Sequence, residues 1–329
     1  MYQYEEIRSV HLEVTSKCQA KCPMCPRRIN GGMLNPFIAL HEITLEQFKL
    51  WFSEDFVKQL DNLFMCGDLG DPIIAKDTLE IFQYLRKVNP KITLSMHTNG
   101  SARTTVWWQE LAKTNVRVIF GIDGLADTHS LYRVATDWHK IIENATAFIQ
   151  EGGIAEWHML VFKHNEHQID DCKQLSIDLG FHDFESKHTS RFMTDSLNVL
   201  DEEGKTTHII HPTEKSQSMI PIIQQLIGNN IKPNSISCKA KQYKQIYVSA
   251  AGNVSPCCWL DFQWHFSGLD ARIDYMDKIN QFPNLNETTL TDIFNSQHFH
   301  KISNTWNSSP LVECGRQCGN YDQLIEQFD

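Results

Sequence analysis

Cys18-Gln19-Ala20-Lys21-Cys22-Pro23-Met24-Cys25 is the stretch on which the reading of this chain turns. Three thiols fall within eight residues at C-x3-C-x2-C spacing, directly after the alternating run Val10 to Thr15. Thiolate is the ligand that cubane iron–sulfur clusters take, and three cysteines this close can hold three corners. No fourth cysteine follows nearby, so one iron would stay open to a small molecule. Zinc also binds cysteines a few residues apart. A closed zinc site needs a fourth ligand, and the nearest histidine, His41, lies well downstream. The spacing after a first strand favours the cluster.

The 329 residues suffice for one large domain or two, and 41% apolar content supports a packed core. Net charge is −10, with no strong basic block, which argues against general nucleic-acid binding. No signal core or run of ~20 apolar residues is present, so the expectation is a cytoplasmic protein with no membrane contact. Ten cysteines in a reducing compartment point to metal or redox work rather than disulfides. Seven fall into two groups, one near each end, leaving Cys66, Cys172 and Cys258. Cys172 reads as core filler, whereas Cys66 closes a predicted strand beside a candidate binding loop.

Val10, Leu12 and Val14 alternate with His11, Glu13 and Thr15 as strand one. The cysteine loop runs to about Pro36, and Thr44 with Gln47 opens a helix as a capping pair. Strand two is read at Leu60–Cys66, three at Ile92–Thr98, four at Val116–Ile122, five at Trp157–Phe162 and six at Asp183–Lys187. Helices are read between them, the first after strand two capped by Asp77. Strict β–α alternation predicts a parallel sheet with right-handed crossovers. In such folds the loops at the strand carboxyl ends build the site. The cysteine loop, Gly67–Pro72, Asn99-Gly100 and Asp123-Gly124 all fall there.

The triplet in this setting resembles the radical S-adenosylmethionine (SAM) superfamily. The resemblance implies a partial (β/α)6 TIM-like barrel, an α/β fold. It also implies a [4Fe–4S] cluster on Cys18, Cys22 and Cys25 whose open iron chelates SAM. One electron then cleaves the sulfonium to a 5′-deoxyadenosyl radical that abstracts hydrogen from substrate. Met24 stands where the family usually has an aromatic, and its backbone is expected at the adenine. Gly70-Asp71-Pro72 resembles the Gly-Glu-Pro element that takes the SAM amino group, with Asp for Glu. Thr98-Asn99-Gly100 resembles the Thr-Asn-Gly near the ribose and methionine end. Gly121-Ile122-Asp123-Gly124, with His129 and Arg133, resembles a Ser-Ile-Asp-Gly…His…Arg stretch, and Gly121 replaces a serine that can reach SAM.

From Phe192 to Ser237 the pattern loosens into a connecting segment, with a helix over Ser218–Ile227 broken by Gly228-Asn229-Asn230 and Pro233. Cys238, a hairpin of Ile246–Val248 and Ala251–Val254, and Cys257-Cys258 follow. A helix is read at Leu290–Phe299, and Cys314 and Cys318 in a glycine-containing loop. Four thiols close either a zinc site or a second cluster, and spacing alone leaves both open. The resemblance extends to the family's auxiliary-cluster extension, the twitch/SPASM domain. Gly252-Asn253-Val254-Ser255-Pro256-Cys257 fits its Gly-x-Val-x-x-Cys hairpin. It implies a second, closed [4Fe–4S] cluster on Cys238, Cys257, Cys314 and Cys318, with Cys257 rather than Cys258 as ligand. The expected domains are 1–190 barrel, 191–237 connection and 238–329 auxiliary domain.

An open site paired with a closed one implies a radical oxidoreductase. Hydrogen abstraction and proton loss leave a reducing substrate radical, and the auxiliary cluster accepts its electron. The expected substrate is a small polar molecule, with Asp123, His97 and Arg191 as candidates for proton acceptor and substrate clamp. An electron donor such as flavodoxin or ferredoxin is the implied partner. A peptide-modifying maturase is the second reading. With strand one read from Val10, no peptide-binding domain is expected ahead of the barrel, which tilts the reading to small substrates. A non-catalytic iron–sulfur or zinc module that carries electrons or scaffolds a partner is the reading from another class.

Overall fold

The computed structural model describes residues 1–228, 235–261, 276, 278–279 and 282–320. Its centre is a sheet built on β1 (Ser9–Leu12), β2 (Asn62–Met65), β3 (Thr93–Thr98), β4 (Val116–Gly121), β5 (Ile154–Val161) and β6 (Asp183–His188). All six run parallel, each paired with the next. The six predicted strands are therefore present, the largest boundary changes being three residues: β1 ends at Leu12 rather than Thr15, and β5 starts at Ile154 rather than Trp157.

Alternation explains the layering. Val10, Leu12, Leu63, Met65, Leu94, Met96, Val118, Phe120, Trp157 and Met159 point outward and are buried under the helices. Each such side chain contributes about 1.5–3 kcal/mol. His11, Phe64, Ser95, His97, Arg117, Glu156, His158, Glu185 and Lys187 alternate with them and face the concave side. The outer layer is α1 (Leu45–Trp51), α2 (Glu54–Gln59), α3 (Thr78–Val88), α4 (Thr105–Ala112), α5 (His129–Tyr132), α6 (Trp138–Gln150) and α7 (Ile169–Asp178). Two capping details differ from expectation. Thr44 caps α1 through the Gln47 N–H, but the Gln47 side chain reaches Asn286 instead of closing the box. Asp77 does not cap its own helix; its carboxylate accepts from the Leu45 N–H and so ties α3 to the start of α1.

The connecting segment holds a hairpin that the sequence reading missed, β7 (Leu197–Leu200) with β8 (Thr206–Ile210), followed by α8 (Glu214–Gly228). The predicted breakers Asn229, Asn230 and Pro233 lie outside the described residues. After β9 (Ser235–Ile236) and α9 (Lys239–Gln242) comes the predicted hairpin, β10 (Gln245–Val248) and β11 (Val254–Ser255). Gly252, at φ 91°, turns it. β10 lies parallel against β1, His11 opposite Tyr247. The hairpin thus extends the barrel sheet to eight strands, in the order β11-β10-β1-β2-β3-β4-β5-β6. The helix expected at Leu290–Phe299 is two, Leu290–Asn295 and His298–Asn304, broken at Gln297 with φ 60°. Cys314 and Cys318 sit on a helix, Val312–Cys318, not in a loop. No helix among the described residues is long and apolar enough to cross a membrane.

Candidate active site and its two cysteine clusters

The cysteine loop leaves β1 and folds over one end of the barrel. Its Lys21 N–H bonds to the Val134 carbonyl at 2.8 Å. Ala20 and Cys22 pack with Tyr132, Phe162, Phe192, Val199 and Ile210, with Cys18, Met24 and Cys25 at the edge. The missed hairpin thus supplies part of the apolar bed under the three thiols. Burial pushes Cys22 up to about 11, with Arg133 opposing, and pushes Cys25 and Cys18 up as well.

Two arginines flank the triplet. Arg27 is 5% exposed and gives Nη2 to the Cys18 carbonyl at 2.6 Å. Its Nε and Nη1 are buried without a partner. Arg133 hydrogen-bonds Cys22 and holds the Asp123 carboxylate at 2.6 Å. A buried guanidinium with idle donors is costly unless an anion joins it. Three iron-bound thiolates on a cubane provide that anion, so the residues present fit the cluster. Among the described residues, no three His, Cys, Asp or Glu side chains group tightly enough to hold a single metal ion. A cubane bonds each thiolate to a different iron and so takes ligands that stand farther apart.

The loops after β2 and β3 close in beside the triplet. Gly70 is pressed onto the chain leading into Cys18, where a Cβ would stand 1.8 Å from the Thr15 carbonyl oxygen. The Asp71 carboxylate is buried and fully engaged. It accepts from the Thr98 hydroxyl at 2.8 Å, the Asn99 N–H at 2.7 Å and the Asn99 amide at 2.5 Å. Pro72 begins a short 3-10 turn capped by the same carboxylate. Asn99 in turn takes the Gln19 amide at 2.6 Å and lies 3.7 Å from the Cys18 sulfur. Asp71, Thr98 and Asn99 are thereby linked to Gln19 and Cys18 at the strand ends, with Gly70 against Thr15.

Gly121 lies against Arg133. A Cβ there would meet Arg133 Nη2 at 2.5 Å, so the glycine makes room for the guanidinium. Asp123 is 0% exposed, and both oxygens are taken, one by Arg133 and one by the Leu160 N–H at 2.7 Å. Its placement is that of a support for Arg133. His97 lines the lumen with its ring 6.0 Å from that of His158. Desolvation, His158 and Lys187 lower its pKa to about 4, which keeps it neutral. Arg191 follows β6, and its charge acts on Cys25, Cys66 and Asp68 alike.

Sequence reasoning passed over several lumen groups. Glu156 binds Arg117 at 2.6 Å and His158 at 3.4 Å, and Glu185 binds His158 at 3.4 Å and Lys187 at 2.8 Å. Their inward phase was readable in strands five and six, but not that they converge. Arg27 carried no signal beyond its position after the loop.

The second cysteine group is assembled by a small ladder. β12 (Gly319–Asn320) pairs with β9, and the Ser237 N–H bonds the Cys318 carbonyl at 2.8 Å, bringing Cys238 beside Cys318. Cys314 precedes Cys318 by one helical turn. Cys238, Cys257, Cys314 and Cys318 line one small cavity, walled by Met1, Ile236, Leu260, Ile302 and Trp306. Burial pushes Cys314 up to about 12 and Cys257 upward, while the hydrogen bond from Cys238 pulls Cys318 down. Four convergent thiols in an apolar pocket fit a closed cluster. Cys258 is absent from that lining and hydrogen-bonds Asp68 instead.

Comparison with known proteins bears on both halves. The family model described as the radical SAM superfamily matches residues 12–175, and one described as an iron–sulfur cluster-binding domain, SPASM, matches residues 238–319. No curated protein matches the sequence. Among solved structures, Streptococcus suis SuiB is similar at 14% identity and TM-score 0.60, covering 98% of this chain and 75% of that one. Native anSMEcpe with bound AdoMet is similar at 18% identity and TM-score 0.55, covering 89% of this chain and 82% of that one. At such identities the likeness is one of fold.

Proposed function

The chain belongs to the radical SAM superfamily, with a SAM-binding [4Fe–4S] cluster and an auxiliary iron–sulfur domain, and from that premise we propose that it is an oxidoreductase removing two electrons from a small polar molecule. The observation that carries this reading is the pairing of a three-cysteine mouth with a closed four-cysteine pocket on one sheet, joined through β1 and β10. A cluster held by Cys18, Cys22 and Cys25 would supply the electron for cleaving SAM, and one held by Cys238, Cys257, Cys314 and Cys318 would take up the electron leaving the substrate.

The chain's own residues divide the remaining work. Cys18, Cys22 and Cys25 hold the first cluster while Arg27 and Arg133 balance its charge. Met24, Gly70, Pro72, Thr98 and Asn99 present backbone and amide groups to SAM. Asp71 acts through Thr98 and Asn99, since its own oxygens are occupied. Gly121 and Asp123 serve Arg133. Arg191 clamps an anionic or hydroxyl-rich substrate, and neutral His97 takes the proton. The charged groups Arg117, Glu156, Glu185 and Lys187, with the His158 imidazole among them, favour a polar substrate over an apolar one.

A peptide substrate is the second reading. It is favoured by two solved structures of similar fold, Streptococcus suis SuiB bound to precursor peptide SuiA and anSMEcpe with bound AdoMet and Cp18Cys peptide. The deciding experiment is anaerobic reconstitution, iron and sulfide counting, and incubation with SAM and dithionite. Two cubanes give about eight irons per chain. Release of 5′-deoxyadenosine should vanish in Cys18→Ala, Cys22→Ala and Cys25→Ala. A protein that binds only zinc and releases no 5′-deoxyadenosine refutes the proposal.

A further inference from the structure

Glu13 lies just past β1 and is 2% exposed. Neither of its oxygens is idle. Oε1 accepts from the Leu69 N–H at 2.6 Å and the Gly70 N–H at 2.9 Å. Oε2 accepts from the Tyr247 hydroxyl at 2.6 Å, also fully buried. One carboxylate therefore grips the turn that enters Gly70-Asp71-Pro72 and the strand of the auxiliary hairpin. It does so from the segment that leads into Cys18.

The surroundings make this an expensive arrangement. Asp68 and Asp261 are neighbouring acids, and burial with the Asp68 charge pushes Glu13 up to about 7. A buried carboxylate is kept at such a place only with its lone pairs filled. The turn it holds has little freedom of its own: Gly70 abuts Thr15, and the Asp71 N–H bonds the Lys17 carbonyl at 2.9 Å. Two successive amides donating to one oxygen fix the direction in which the following carbonyls point.

We propose that Glu13 is a positioning residue that sets the Leu69–Gly70 turn for the amino end of SAM and couples it through Tyr247 to the auxiliary hairpin. The inference rests on the radical SAM reading of the mouth. It makes SAM affinity depend on a hydroxyl that never touches SAM.

The test is calorimetric titration of reconstituted, unreduced protein with SAM, so that binding is read without turnover. Electron paramagnetic resonance of the reduced protein with and without SAM is the second readout. Tyr247→Phe removes the tie to the hairpin, and SAM should bind five- to tenfold more weakly to protein that still folds and carries about eight irons per chain. Glu13→Gln keeps an acceptor for both amides and should stay within about threefold of wild type, with the SAM-induced spectral shift retained. Glu13→Ala should lose SAM binding most; if it does not fold, the Tyr247→Phe and Glu13→Gln pair decides. SAM affinity within twofold of wild type in Tyr247→Phe overturns the coupling. A wild-type protein that binds no SAM overturns the functional reading instead, so the two failures are distinct.

Discussion

Replacing Asp123 by Asn isolates the charge that faces Arg133 while keeping the shape of the side chain. Asp123 is fully buried, Arg133 retains 20% side-chain exposure, and their contact is 2.6 Å. Removing one partner of a buried ion pair costs about 3–5 kcal/mol, because the other charge is left uncompensated. Two features place this case at the lower end. The Asn carbonyl still accepts from the Leu160 N–H, a bond of about 1 kcal/mol. Cys22, once ligated, offers Arg133 a second anion. The expected loss is about 3 kcal/mol. Urea unfolding of reconstituted protein under anaerobic conditions, followed by circular dichroism, measures it. Arg133→Met combined with Asp123→Asn should recover at least half of the loss, since no charge is then stranded. The single variant also separates support from proton transfer: Asp123→Asn should still release 5′-deoxyadenosine in proportion to its folded, cluster-loaded fraction. A single variant within about 0.5 kcal/mol of wild type, the range of ordinary surface changes, refutes the reasoning.

Three further outcomes are expected. Cys257→Ala should lower bound iron from about eight to about four per chain, whereas Cys258→Ala should leave it unchanged, by iron assay. Gly70→Ala should retain iron yet abolish SAM binding in titration, because its Cβ would lie 1.8 Å from a backbone oxygen that cannot yield. Glu13, Asp68 and Asp261 are each pushed up to about 7, chiefly by burial, so the folded state binds protons more tightly than the unfolded chain. These groups make stability fall as pH rises from about 4 to about 7 and level off above. Melting scans across that range check the sign, and Asp68→Asn should flatten part of the slope.

Much of the barrel could be read from residues alone. Val10-His11-Leu12 and its counterparts alternate so regularly that the strands, and with them the shared mouth, follow from pattern. Cys18, Cys22 and Cys25 announce themselves by spacing. What stayed hidden has physical causes. Leu197–Leu200 and Thr206–Ile210 form a hairpin whose polar face matches its half-exposed position, so no run of apolar residues marks it. Val312–Cys318 contains Gly315 and looks like a loop, yet tertiary packing of Leu311 and Cys314 overrides the weak propensity. Asp71 and Asp123 sit in motifs associated with SAM, and only their hydrogen bonds reveal that each serves a neighbouring side chain. The lumen charges belong to separate strands, and their convergence is a property of sheet register.

The pairing of Gln245–Val248 with Ser9–Leu12 joins segments more than two hundred positions apart in the chain. During synthesis β1 must wait, one edge bare, until nearly three quarters of the polypeptide has emerged. Contacts so distant slow folding, and an unpaired edge invites intermolecular strand addition. A version ending before Gln245 would retain each residue of the first cysteine loop and still be prone to aggregate. Assembly of the catalytic mouth is in this sense completed last, by the part of the protein that carries the other cluster.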